Sequence, residues 1–180
     1  MKALFLDRDG VINKDTGYAF IWKPDLIVPG IIELILRFKS FGYKIVIVTN
    51  QSGIGRGYFT EDQFSHFMRE LKHFLDINGA GWDHYYYCSC DPSVRNCPNR
   101  KPGSGMFMKA FKQLGILAET SVMVGDNLSD IQASINAGIL QNFVFNLNGN
   151  KNFVNKPPNS LLKFVTVSDL ANIVPRETSN

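Results

Sequence analysis

The chain is poor in cysteine, in long apolar runs and in charge of one sign, and each shortage excludes a class of protein. Three cysteines among 180 residues are too few for a disulfide scaffold. The longest nearly apolar run, at residues 29–36, contains Glu33 and is much shorter than the roughly 20 residues that a membrane-spanning helix needs. Nineteen basic against sixteen acidic residues leave a net charge of +3, too small a surplus to predict nucleic acid as a partner.

The composition is instead that of a protein with one full core. Hydrophobic residues make up 44% of the chain and aromatic residues 12%, which excludes intrinsic disorder. The length fits a single domain over residues 1–180 on the usual scale of roughly 100–200 residues per domain. No signal-sequence pattern opens the chain. We therefore expect a cytoplasmic, monomeric protein without a membrane partner.

Short apolar runs alternate along the chain with segments of helical spacing. Strands are predicted at residues 3–6, 43–48, 85–88, 121–124, 142–145 and 164–167. Helices are predicted from residue 31 to a stop at Gly42, from an N-cap at Thr60 to residue 74, and at 106–114 and 130–137; residues 146–160 are predicted to be a polar loop. This alternation predicts an α/β fold, a Rossmann-like doubly wound parallel sheet with helices on both faces and no large cap domain.

Polar side chains follow three of these predicted strands. Asp7 and Asp9 follow the first, residues 49–51 the second, and Asp126 the fourth. Ligands of parallel sheets bind beyond the carboxyl ends of the strands, so we expect these residues to form one site. Two carboxylates at the end of a buried strand favour a cation such as Mg²⁺, which carboxylates bind together with a substrate phosphate. A carboxylate can also attack phosphorus as a nucleophile.

Four segments together resemble the motifs of the haloacid dehalogenase-like phosphohydrolases: LFLDRDG at 4–10, VTN at 48–50, KP at 101–102 and VGDN at 124–127. Within that family, residues 7–18, the segment TNQSGIGRG at 49–57 and RKP at 100–102 are similar to the D-glycero-D-manno-heptose 1,7-bisphosphate 7-phosphatases. The resemblance extends over residues 3 to 145. Histidinol-phosphate phosphatases share the DRDG segment, so that motif alone does not separate the two groups.

The resemblance implies a Mg²⁺-dependent phosphatase that forms an aspartyl-phosphate. Asp7 would attack the phosphate, and Asp9 would serve as acid and then as base. Thr49 and Lys101 would hold the phosphoryl oxygens. Arg8, between the two acids, is expected only to pair with a neighbouring carboxylate.

The resemblance also implies the residues of the metal and substrate sites. Asp7, the backbone carbonyl of Asp9, and Asp126 would bind Mg²⁺, with Asp130 in a supporting role. The residues that would contact the substrate are Asp15, Thr16, Gly17, Tyr18, Asn50, Gln51, Ser52, Arg100 and Asn127.

Three cysteines lie close together at positions 88, 90 and 97, where these phosphatases carry a zinc loop. The pattern resembled is Cys-x-His followed by Cys-x-Cys, and here Cys90 stands for the His and Asn99 for the last Cys. Cys88, Cys90 and Cys97 would supply three of the four tetrahedral ligands of a structural Zn²⁺. The fourth ligand would be water, Asp91 or His84. The alternative is three free cysteines without a metal.

The substrate favoured by these motifs is a small phosphorylated sugar, and most specifically the 7-phosphate of a heptose bisphosphate. The alternatives are histidinol phosphate and another small phosphosugar. A phosphotransferase would need a cap that shields its acyl-phosphate from water, and only about forty residues separate the first two motifs. A non-enzymatic zinc-loop module would leave the acidic strand ends unused.

Overall fold

One parallel sheet organises the part of the chain that the structure, a computed structural model, describes: residues 1–147 and 163–175. Within that part the strands are β1 (Ala3–Leu6), β2 (Lys44–Asn50), β3 (His84–Cys88), β4 (Val122–Gly125), β5 (Gln141–Phe145) and β6 (Val165–Val167). They lie in the order β3-β2-β1-β4-β5-β6, and every neighbouring pair is parallel.

Helices cover both faces of this sheet. They are α1 (Ile31–Ser40), α2 (Ser52–Gly55), α3 (Glu61–Ile77), α4 (Gly105–Leu114) and α5 (Leu128–Asn136). Alternate residues of β1 point to opposite faces. Leu4 and Leu6 pack in the core that α1 and α3 cover, and Ala3 and Phe5 pack in the core that α4 and α5 cover. The predicted fold class is confirmed.

The predicted start of the longest helix, α3, is confirmed in detail. The Oγ1 atom of Thr60 accepts a hydrogen bond from the backbone N–H of Gln63 at 3.1 Å, and Thr60 N–H donates to Gln63 Oε1 at 2.8 Å. This reciprocal pair is a capping box, which satisfies two backbone donors that the first turn of a helix leaves without partners. The cap fixes where α3 begins.

Several element boundaries differ from the predicted ones by one or two residues. Strand β2 extends to Asn50, because Thr49 and Asn50 still pair in register with β3. Helix α5 begins at Leu128 rather than 130, because Asn127 caps it. Helix α2 was not predicted, since its four residues include two glycines and show no periodicity. Of the predicted polar loop, residues 148–160 lie outside the described part of the chain.

The strand order creates the place where a ligand would bind. The chain passes from β1 to β2 on one side, while β4 pairs with β1 on the other. The carboxyl ends of β1 and β4 therefore flank the change in strand order, where open α/β sheets bind ligands. Among the described helices, none has the length and apolar character needed to cross a bilayer.

Candidate active site

Asp7 lies at the carboxyl end of β1, where its backbone is fixed by the sheet. Its N–H donates to Val124 O of β4 at 3.0 Å. Its carboxylate accepts the N–H of Arg8 at 2.8 Å and lies 2.8 Å from Lys101 Nζ. The residue is 8% exposed. The predicted nucleophile is thus held rigidly at the edge of the core.

Lys101 is buried, and its ammonium group contacts three oxygens. Nζ lies 2.8 Å from Asp7 Oδ1 and 2.6 Å from Asp130 Oδ1, and it donates to Val48 O at 2.8 Å. An ammonium has three donors, so every one of them has a partner. Burial alone would lower the pKa of Lys101, but the charges and hydrogen bonds of Asp130 and Asp7 outweigh burial and raise it. Lys101 therefore stays charged.

The acidic groups of the site outnumber its basic group. The carboxylates of Asp7, Asp126 and Asp130 lie within 4.8 Å of one another. Burial raises the pKa of Asp7 to about 8; Lys101 acts in the opposite direction, and the charges of Asp130 and Asp126 add to the increase. These three acidic side chains surround one ammonium, that of Lys101, which pairs with Asp7 and Asp130. The cluster favours a further cation.

The backbone around this cluster is shaped to leave the carboxylates room. Gly10 has a φ of +84°, and a Cβ there would lie 2.4 Å from an oxygen of Asp126. A Cβ on Gly125 would lie 2.3 Å from the Cβ of Asp130. Carboxylate oxygens at this spacing are the donors that Mg²⁺ takes, so the residues present fit the predicted magnesium site.

Asp9 points its carboxylate toward a different set of donors. Arg8, Asn13 and Gln51 all donate to it. The amide nitrogen of Gln51 also donates to Thr49 Oγ1 at 2.9 Å, which connects the predicted acid and base with the predicted phosphate ligand. Gln51, one of the predicted substrate contacts, is 4% exposed, and its amide nitrogen donates to protein side chains of the site.

Asn50 holds the backbone of Lys101 in place. Its Nδ2 donates to Lys101 O at 3.1 Å, and its Oδ1 accepts the N–H of Lys101 at 3.0 Å. The pair of bonds joins the end of β2 to a loop 51 positions later in the chain. Asn50 therefore positions the lysine as well as lining the site.

A cavity of about 310 Å³ opens beside Asp9. Six of the nine predicted substrate contacts line it: Asp15, Gly17, Tyr18, Asn50, Gln51 and Ser52. The other three, Thr16, Arg100 and Asn127, are not part of its lining. Asn127 instead caps α5, accepting the N–H of Ser129 at 3.1 Å and donating its own N–H to Asp130 at 3.0 Å.

Arg100 is the last residue of the cysteine loop, residues 88–100, and its side chain faces the rest of that loop. Its guanidinium donates to Cys90 O at 3.2 Å, and the residue lines a second cavity of about 430 Å³ together with Lys101 and residues of the loop. Arg100 and Lys101, neighbours in the chain, therefore line the same cavity. Its conformation depends on how the cysteine loop folds.

Arg56 is a site residue that sequence reasoning missed. Its guanidinium donates to the hydroxyl of Tyr18 at 2.9 Å and to Asp91 at 3.1 Å. It thus connects the loop before α1, the loop after α2 and the cysteine loop at the mouth of the site. The segment TNQSGIGRG contained the residue, but nothing in a sequence shows which partners it meets.

The structure brings the three cysteines together. Their sulfur atoms lie within 4.8 Å of one another, Cys88 Sγ is 3.5 Å from Cys97 Sγ, and Cys90 and Cys97 are in disulfide contact. Two thiolates bound to one tetrahedral Zn²⁺ at about 2.3 Å would lie about 3.8 Å apart. The Cys88–Cys97 distance is close to this spacing, whereas Cys90 and Cys97 are at disulfide distance and would have to be reduced before all three sulfurs could bind Zn²⁺ as thiolates.

The two side chains proposed as the fourth zinc ligand are wrong. His84 begins β3, four residues before Cys88, with its ring against Tyr86. At roughly 3.3 Å per residue it lies at the other end of the strand. Asp91 is paired with Arg56 and accepts the N–H of Ser93. Among the described residues, no His, Asp or Glu side chain joins the cysteine cluster.

The fold and the acidic site identify the class of protein. The family model of the haloacid dehalogenase-like hydrolases matches residues 1–138, well over half of the chain. The chain belongs to the haloacid dehalogenase-like hydrolases.

Comparison with individual proteins shows which members of this family the chain is similar to. The chain is 40% identical over 146 residues to the D-glycero-beta-D-manno-heptose-1,7-bisphosphate 7-phosphatase of Haemophilus influenzae, covering 78% of this chain and 79% of that protein. It is 41% identical over 144 residues to the D-glycero-alpha-D-manno-heptose-1,7-bisphosphate 7-phosphatase of Burkholderia mallei, covering 77% and 76%.

One solved structure that is similar to the chain is also that of a heptose bisphosphate phosphatase. The D,D-heptose 1,7-bisphosphate phosphatase from B. bronchiseptica, complexed with magnesium and phosphate, superimposes with a TM-score of 0.81 at 29% identity over 95% of this chain and 94% of that one. The chain is therefore an enzyme of the phosphoric monoester hydrolase class.

Proposed function

We propose that the chain removes the 7-phosphate of D-glycero-D-manno-heptose 1,7-bisphosphate, with Mg²⁺ and through an aspartyl-phosphate on Asp7. The observation that carries this proposal is the placement of Asp7. Its buried carboxylate ends β1 at the change in strand order, in contact with Lys101 and next to two further acids. The names of relatives at about 40% identity support the choice of substrate.

The chain's own side chains supply both chemical steps. In the first, an Asp7 oxygen bonds to phosphorus, the bond from phosphorus to the sugar oxygen breaks, and protonated Asp9 gives its proton to that oxygen. In the second, the Asp9 carboxylate takes a proton from water, and the water oxygen displaces Asp7 from phosphorus. The charge of Lys101 and the hydroxyl of Thr49 would stabilise the phosphoryl oxygens.

Asp7, Asp126 and the backbone carbonyl of Asp9 would hold Mg²⁺, with Asp130 beside them. When bound, the ion supplies the positive charge that this cluster lacks and polarises a phosphoryl oxygen. Without it, a doubly charged phosphate would approach a cluster of three acidic side chains. Asp130, which contacts Lys101 at 2.6 Å, keeps the ammonium aligned.

The substrate would bind in the cavity beside Asp9. Its lining offers the hydroxyls of Tyr18 and Ser52, the carboxylate of Asp15 and two amides to a polyhydroxylated chain. Arg100 lies outside this cavity, in the second cavity that Lys101 also lines, and its cationic fork would bind the distal phosphate of a substrate that extends there. Histidinol phosphate has no second phosphate and carries a cationic amine, which Arg100 would repel. Release of phosphate from both heptose bisphosphate anomers, histidinol phosphate and simple sugar phosphates tests this proposal; a preference for histidinol phosphate would overturn it.

Replacing Arg100 by Ala is expected to reduce the preference for the bisphosphate. A hydrogen bond to a charged group is worth about 1.5–3 kcal/mol, so the ratio of kcat/KM values for heptose bisphosphate and histidinol phosphate should fall by about tenfold or more. Arg95→Ala, an exposed arginine of the same loop, is the matched control and should keep the ratio. An unchanged ratio in Arg100→Ala would remove Arg100 from substrate recognition.

The cysteine cluster is proposed to bind one structural Zn²⁺ through three thiolates and a water. Protein purified under reducing conditions should contain about one zinc per chain by elemental analysis. Cys90→Ser should lower both the zinc content and Tm, because metal-binding energy in such a loop is also folding energy. Ser89→Ala, the neighbouring residue, is the control. A zinc-free protein with a Cys90–Cys97 disulfide in mass spectrometry would show that the loop closes without metal.

A further inference from the structure

Arg8 stands between the predicted nucleophile and the predicted acid, yet it is among the most buried side chains of the chain. It is 1% exposed. Its guanidinium lies 4.5 Å from the ring centre of Phe67 and 5.6 Å from that of Phe64, both on α3. Its Nη2 also donates to Ala19 O at 3.0 Å. The charge is therefore enclosed on the side away from the substrate cavity.

The guanidinium of Arg8 donates hydrogen bonds to the carboxylate of Asp9 from two nitrogens, Nε and Nη2. Nη2 lies 2.9 Å from Oδ1 and 2.7 Å from Oδ2, and Nε lies 3.1 Å and 3.2 Å from the same two oxygens. Asn13 Nδ2 donates to Oδ1 at 2.8 Å, and Gln51 Nε2 donates to Oδ2 at 2.9 Å. Each carboxylate oxygen thus has a partner besides the arginine, and the carboxylate has one orientation.

This arrangement is poorly explained by stability alone. A buried guanidinium loses its hydration, and apolar side chains of similar volume commonly serve the fold as well or better. The Nη1 atom of Arg8 is buried and donates to no atom of the described residues, which adds to the cost. The Asp9 side chain, by contrast, is 20% exposed and borders the cavity. The buried partner fixes an acid that still reaches substrate.

We propose that Arg8 is a positioning residue that holds the Asp9 carboxylate where it can serve both proton transfers. The inference rests on the proposed function. A rigid, planar fork fixes both oxygens at once, which the single point charge of a lysine cannot do. Loss of the fork should therefore harm the steps that need Asp9, and it should spare the attack of Asp7 on phosphorus only where the leaving group needs no proton.

p-Nitrophenyl phosphate separates these steps. When Asp7 attacks it, the bond from phosphorus to the phenolic oxygen breaks and p-nitrophenolate leaves without a proton from Asp9. Hydrolysis of the aspartyl-phosphate still requires Asp9 to take a proton from water. An enzyme with a misplaced Asp9 should thus release the first p-nitrophenolate normally and then stall as phosphoenzyme.

The experiment is a rapid-mixing measurement of p-nitrophenolate release with Mg²⁺ present, for the wild type, Arg8→Lys and Asn13→Ser. For Arg8→Lys we expect a burst approaching one p-nitrophenolate per chain and a steady-state rate lowered by about 10²-fold, the effect of a misplaced catalytic group. Asn13→Ser, which removes one donor from the same carboxylate, should show a smaller effect of the same kind. It also keeps the inference testable if Arg8→Lys does not fold.

The outcomes distinguish this inference from the proposed function. A wild-type protein that hydrolyses neither p-nitrophenyl phosphate nor heptose bisphosphate would overturn the proposed function. In another outcome the wild type hydrolyses p-nitrophenyl phosphate, while the variants show a burst and a steady-state rate that both fall by the same factor, or that both stay unchanged. Either result would overturn only the role of Arg8. The double variant Arg8→Lys/Asp9→Asn should have nearly the same steady-state rate as Asp9→Asn alone. If the two substitutions instead lowered the rate by the product of their separate effects, Arg8 would act independently of Asp9.

Discussion

Asp7→Asn is expected to abolish turnover, with a loss of about 10⁴-fold or more, as when other enzymes lose their nucleophile. The amide keeps the shape of the side chain but cannot attack phosphorus as an anion. Lys101 retains Asp130 and the carbonyl of Val48 as partners, so its position should not change. The measurement is phosphate release by correctly folded protein that mass spectrometry shows to be free of deamidation. Appreciable turnover by such protein would contradict a covalent mechanism on Asp7.

The same substitution should not lower the stability of the metal-free fold. Burial raises the pKa of Asp7 to about 8 from its ordinary value of 3.8. Between these values the folded state holds a proton that the unfolded state has lost, so the free energy of unfolding falls as pH rises through this window. Asn has no such dependence, and the Tm of Asp7→Asn should fall less than that of the wild type between pH 5 and pH 8. Asp25→Asn, at an exposed position, should behave like the wild type.

Removal of divalent ions is expected to lower turnover by about 10³-fold, since a catalytic ion contributes several kcal/mol of charge stabilisation. The reason is that an anionic substrate must approach a cluster of three acidic side chains, Asp7, Asp126 and Asp130, beside a single ammonium. Chelation followed by titration with Mg²⁺ alone should restore the rate.

Asp126→Asn tests whether the acidic cluster is the site at which Mg²⁺ acts. It removes one of the three clustered carboxylates, so both the rate and the apparent affinity for Mg²⁺ should fall. Asp25→Asn, an exposed acid outside the cluster, should leave the Mg²⁺ titration unchanged. Full activity of the wild type in metal-free buffer would contradict the assignment of the cluster as a metal site.

The convergence of the main site residues could be predicted because it follows from topology. Parallel strands bring their carboxyl ends to one edge, so Asp7 after β1 and Asp126 after β4 meet whatever the loops do. Lys101 is different: it follows no strand directly, and only its place before Pro102 in a resembling segment distinguished it from eighteen other basic residues.

The contacts of individual side chains could not be predicted from the sequence, because they depend on where each side chain points in the folded chain and not on the order of the residues. Arg8 was expected to pair with an acid, but its burial against α3 requires the packing of the helix on the sheet. Gln51 and Asn50 were expected to face substrate, and their amides also hold Asp9 and Lys101. The error at His84 was avoidable, since four residues along a strand span roughly 13 Å and separate it from Cys88.

The central claim is most directly tested by ³¹P NMR of the reaction with D-glycero-D-manno-heptose 1,7-bisphosphate and Mg²⁺. We expect the signal of the 7-phosphate to disappear as inorganic phosphate appears, while the signal of the 1-phosphate persists. Asp7→Asn should leave both signals unchanged. Loss of the 1-phosphate first, or no hydrolysis by the Mg²⁺-loaded wild type, would contradict it.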